Sequence, residues 1–116
     1  MSEEKARKLI QKLSEDFGVE PPRVVVDDRL VDERCDERAY ACYNFEKKEI
    51  LLRKAWGLRN LLHEFCHHLQ YILAKENPWL AYPDIMVGGP HCQRSYEKEA
   101  KIFANIYGRF YRDDQE

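Results

Sequence analysis

Two histidines four positions apart, with a glutamate directly after the first, are the residues of this 116-residue chain best placed to do chemistry: His63-Glu64-Phe65-Cys66-His67. On a helix, positions i and i+4 lie one turn apart on the same side, so both imidazoles can reach one metal ion. Glu64 falls about 100° round from His63, beside such an ion rather than on it. A carboxylate there can take a proton from an attacking water and return it to a leaving amine. The apolar residues agree with a helix from about Trp56 to Ala74. Leu58, Leu61, Leu62, Phe65, Leu69, Ile72 and Leu73 share one arc, and His63 and His67 lie opposite it, towards a cleft. Cys66 faces away from the histidines as core-side packing, and His68, about 100° from His67, reads as a surface residue.

Catalytic zinc takes three protein ligands and keeps a fourth position open. A third histidine spaced as in HExxHxxGxxH would fall on Leu73, and the glycine of that pattern on Gln70, so that class of metalloprotease is excluded. Ser95-Tyr96-Glu97-Lys98-Glu99-Ala100 supplies two carboxylates instead. Both flank the apolar arc of the last helix, and spacing does not choose between Glu97 and Glu99. His91, in Gly88-Gly89-Pro90-His91-Cys92, is a further catalytic candidate: a donor to a tetrahedral oxyanion, an alternative third ligand, or a loop residue. Cys92 reads as a plain loop thiol, with a latency-holding zinc ligand as the alternative. Trp56, Trp79 and Tyr82 read as core and cleft-rim aromatics.

The elements that must position these groups spell an α+β fold. Ala6, Leu9, Ile10, Leu13 and Phe17 mark one face of a helix over 3–17, which Gly18 ends and Pro21-Pro22 keep from restarting. The β-branched run Arg23–Asp27 is a strand; 39–45 and 49–53 are two more, with Glu46-Lys47-Lys48 as the turn, making a small three-stranded sheet. Residues 77–94, with Pro78, Pro83, Gly88, Gly89 and Pro90, should form a long irregular connection. The last helix, about Ser95 to Tyr111, turns Ala100, Phe103, Ala104, Tyr107 and Tyr111 inward, and an acidic tail follows. With no repeat or linker, 1–116 is expected to be a single domain.

Arg94-Ser95-Tyr96-Glu97-Lys98-Glu99-Ala100-Lys101-Ile102-Phe103-Ala104 resembles the RxxExxADxFA glutamate-helix signature of gluzincin metallopeptidases. It is most similar to that of the catalytic domains of CAAX prenyl endopeptidases and heat-shock membrane peptidases. The order of helix, small sheet, HExxH helix and glutamate helix extends the likeness over nearly the whole chain, and the soluble minimal form of this scaffold is the minigluzincin. The resemblance implies zinc held by His63, His67 and Glu97, with Glu64 as the catalytic base of a metalloendopeptidase. Soluble members of the family include zymogens, and two readings of the tail stay open: residues 112–116 fold over the cleft and bring Asp113 or Asp114 near the metal, or the tail is solvated. The family's Asp after the Ala is Lys101 here, so a carboxylate that would orient a histidine is missing from its usual place, and Glu99 is a candidate to replace it. A non-catalytic regulator on the same scaffold, and an SprT-like protease with His91 as third ligand, are the competing readings.

Composition narrows the partners. A net charge of −2 argues against a dedicated nucleic-acid binder. The start MSEEKARKL has no apolar core of a secretory signal, and no apolar run approaches a membrane span, so a cytoplasmic protein without membrane insertion is expected. The resemblance to metallopeptidases implies a peptide or unfolded protein as partner, met by a monomer or homodimer. Charged residues make up 34%, an enrichment also seen in hyperthermophile proteins. Cys35, Cys42, Cys66 and Cys92 form no CxxC pair; they read as unbridged thiols, with a Cys35–Cys42 bridge as the alternative.

Overall fold

The computed structural model describes residues 2–35, 39–76 and 95–112. Over these the chain is α+β, as expected: α1 (Glu3–Phe17), β1 (Arg23–Val26), α2 (Asp28–Arg34), β2 (Ala41–Asn44), β3 (Glu49–Leu52), α3 (Leu58–Glu76) and α4 (Ser95–Tyr107). α1 starts where the Ser2 hydroxyl accepts from Lys5 N at 3.1 Å, and stops where Gly18 turns left-handed at φ 68°.

The sheet order is β1-β3-β2, with β1 parallel and β2 antiparallel to the central β3. All four residues of β3 are buried. Ile50 and Leu52 face the main core, where Leu9, Ile10 and Leu13 of α1, Trp56, and Leu61, Leu62 and Phe65 of α3 meet Ala104 and Tyr111. Strand alternation sends Leu51 to the opposite face, together with its register partner Cys42. α2, which packs on β3, contributes the buried Val31 there.

α2 is the element the sequence reading did not assign. It holds one buried residue, too few for a helical period, yet Asp27 marks its start: Oδ1 accepts from Arg29 N at 2.9 Å and Leu30 N at 3.2 Å. The cysteines are a second correction. Cys35 and Cys42 are joined, with their Cα atoms 6.0 Å apart. The bridge exists because the β2–β3 register puts Cys42 on the sheet face where α2 ends. α3 and α4 form the most extensive contact between elements. The inward residues expected of α4 are buried or packed on the core, Tyr111 among them. Leu73, by contrast, is 45% exposed.

Candidate metal centre

α3 brings His63, Glu64 and His67 to its seam with α4, and α4 answers with Glu97. Glu97 Oε1 lies 3.4 Å from His63 Nε2 and in closer contact with His67 Nε2. The three potential donor atoms fall within 4.8 Å of one another, a group that can hold a metal ion. Ligands of a tetrahedral zinc ion, each about 2.0–2.1 Å from the metal, sit roughly 3.3 Å apart, so the His63–Glu97 spacing already fits. The tighter His67–Glu97 contact is the one an ion would replace. Two imidazole nitrogens and one carboxylate oxygen are also the donor set zinc favours.

The expected cleft-facing orientation holds differently for the two histidines. His63 and Glu64 line a cleft of about 480 Å³ with Ala39, Tyr40, Ala41, Arg59, Asn60, Lys101, Ala104 and Asn105. His67 is buried deeper, at the seam with α4. Electrostatics follow from this packing. Burial works to lower the His67 imidazole, but the Glu97 contact, with Glu64 and Gln70, carries it above its ordinary value. Burial would raise Glu97, yet the hydrogen bonds of His63 and His67 hold it well below the carboxylate range. Burial raises the Glu64 carboxyl, helped by Glu97 and opposed by both histidines.

Glu97 and Glu99, which spacing left unresolved, are separated by the fold. Glu97 meets the histidines, whereas Glu99 accepts from Gln70 Nε2 at 2.9 Å, and Gln70 Oε1 lies 2.8 Å from His67 Nδ1. The polarity of this chain is fixed from its outer end. A carboxylate only accepts, so the Gln70 NH₂ faces Glu99 and its oxygen faces His67. Nδ1 must then carry the proton it donates to Gln70, which assigns Nε2 as the atom free to bind an ion. Gln70 was not singled out from sequence except as a missing glycine. Its signal was the i, i+3 spacing from His67 on one helix.

His68 is not a surface residue. It is 1% exposed. Nε2–H donates to Glu20 O at 2.8 Å, and the Tyr43 hydroxyl donates to Nδ1, also at 2.8 Å. Burial, with Lys48 adding, keeps the ring neutral by lowering its pKa. Cys66 is core-side as expected, its thiol pushed up to about 12 by burial and by neighbouring carboxylates. His91, Cys92, Trp79, Tyr82, the expected connection over 77–94 and the acidic tail after Arg112 lie outside the described residues. Tyr111 is anchored on α1, donating to Asp16 Oδ2 at 2.7 Å. Among the described residues, no helix is long and apolar enough to cross a membrane. The chain matches no protein-family model, no curated protein and no solved structure.

Proposed function

We propose that the chain is a zinc-dependent peptidase of the minigluzincin kind. The observation that supports this most directly is the meeting of His63, His67 and Glu97 beside a buried Glu64 that lines the same cleft. When bound, zinc supplies Lewis acidity, making water nucleophilic near neutral pH and polarising a carbonyl. The rest belongs to the chain. Glu64 accepts the proton of the attacking water and passes it to the leaving amine. Burial, which raises its carboxyl above the ordinary value in the metal-free protein, favours proton uptake there. Gln70 holds His67 in the ligating tautomer. The segment Ala39–Ala41 forms one wall of the cleft, and β2 pairs only with β3 among the described residues. An extended peptide can therefore hydrogen-bond along the outer edge of β2 with its scissile bond near Glu64.

The test is metal content and peptide cleavage measured together on native protein and on Glu64→Gln, Glu97→Ala and His91→Ala. Near-stoichiometric zinc should be lost with Glu97 and kept with His91. Glu64→Gln should keep zinc while cleavage falls by about 10²–10⁴-fold. Zinc lost with His91 and kept with Glu97 would move the chain to the SprT-like reading, and a native protein that takes up no zinc would end the peptidase reading.

A further inference from the structure

We propose that the cleft contains a carboxylate-recognising subsite one helical turn from the metal centre, built from Arg59 and Lys101, so that the preferred substrate carries a carboxylate close to the scissile bond. This rests on the peptidase reading above and adds a substrate class to it. Arg59 precedes His63 by four residues on α3, and Lys101 follows Glu97 by four on α4. Each cation therefore stands about 6 Å along its helix from a residue of the candidate metal centre. Both line the cleft that His63 and Glu64 line.

The chemistry of the remaining wall is consistent with an anion. Glu64 is the one carboxylate residue among those lining the cleft, and the other uncharged polar lining residues are Tyr40, Asn60, His63 and Asn105. Asn60 Oδ1 accepts from Gly57 N at 2.9 Å, and its N–H₂ group can donate to an anion. Four arginines outside the cleft are matched to acids, in Arg7–Glu3, Arg29–Glu33, Arg34–Glu49 and Arg53–Asp32. Arg59 and Lys101 form no ion pair among the described residues. A chain of net charge −2 thus places two cations on the wall of its cleft, where opposite charge in a substrate is favoured. An extended peptide advances about 3.3 Å per residue, so a carboxylate one to three residues from the scissile bond reaches the pair. An acidic side chain and a C-terminal carboxylate supply the same group.

The experiment measures peptide binding by fluorescence anisotropy to zinc-loaded Glu64→Gln protein. One peptide is neutral with both ends blocked. A second set places Glu for Gln at successive positions, and a third peptide is neutral with a free C-terminus. At low salt, carboxylate-bearing peptides should bind about threefold to tenfold tighter than the neutral one. The ratio should collapse in Arg59→Gln/Lys101→Gln and at about 0.5 M salt. Preference for Glu peptides identifies a side-chain subsite, and preference for the free end alone a terminus-reading one. A ratio near one, or a ratio that survives the double substitution, overturns the proposal. Cleavage by native protein is scored separately. Carboxylate preference without cleavage keeps the subsite and removes the peptidase, and cleavage without preference does the reverse.

Discussion

His67 and His68 are neighbours in sequence with opposite assignments, and the difference lies in what each ring nitrogen faces. Both nitrogens of His68 are used within the protein, by Glu20 O and Tyr43 Oη. His67 spends Nδ1 on Gln70 and turns Nε2 to the Glu97 carboxylate, a partner that is itself a candidate ligand. Removing the Gln70 amide leaves that ring without its orienting partner. Gln70→Ala should therefore weaken zinc binding by about 10–100-fold, measured by chelator competition, while Glu99→Ala should act in the same direction. The pH dependence has a definite sign. The metal-free His67 holds its proton to a higher pH than an ordinary histidine, and that proton must leave before Nε2 can ligate. Zinc affinity should thus fall as pH drops from about 8 to about 5, with proton release on binding seen by calorimetry in buffers of different ionisation heat. Affinity independent of pH over that window would contradict the assignment of His67.

At the scale of elements, the β2–β3 register decides two things at once. Tyr43 and Ala41 share a face with Ile50 and Leu52, which takes Tyr43 to His68 on α3. Cys42 takes the other face and meets Cys35 at the end of α2. The wall of the cleft hangs between these anchors, with Arg53 Nε donating to Ala39 O at 2.7 Å and Arg53 N to Tyr40 O at 3.2 Å. Closing so short a loop restricts the unfolded chain by on the order of 2–3 kcal/mol. Cys35→Ser/Cys42→Ser should lower stability by about that amount in denaturant unfolding. The unfolding midpoint of the oxidised native protein should also fall on addition of a dithiol reductant, while that of the double variant should not. Tyr43→Phe strips a buried imidazole of its donor and should cost about 1–3 kcal/mol in the same assay.

For the whole molecule, one core cluster joins α1, the sheet, α3 and the turn after α4. The His63–His67–Glu97 group lies on the α3–α4 seam beside that core, so an ion bound there would link two elements distant in sequence. A ligand that binds only the folded state stabilises it by mass action, about 2.7 kcal/mol at a hundredfold excess over its dissociation constant. Chelation should accordingly lower the thermal midpoint of the zinc-loaded protein by several degrees, and Glu97→Ala should remove most of that difference. An equal midpoint with and without chelator in the native protein would argue against zinc at this seam.

Periodicity was enough for most of the architecture. The arc of Leu58 to Phe65, the face of Ala6 to Phe17 and the β-branched Val24–Val26 each repeat at the spacing of the element they form, because burying one face is a local pattern. The i, i+4 histidines and the adjacent Glu64 were legible for the same reason: one helix carries them all. What needed the tertiary structure crosses between elements. The separation of Glu97 from Glu99 depends on how α4 lies against α3. The burial of His68 depends on Glu20 and Tyr43, which are 48 and 25 residues away. The Cys35–Cys42 bridge follows from a strand register and from a helix with one buried residue. The tautomer of His67 comes from a chain of hydrogen bonds ending on another helix. Spacing along one element is written in the sequence, whereas partners across a packed interface are chosen only when the chain folds.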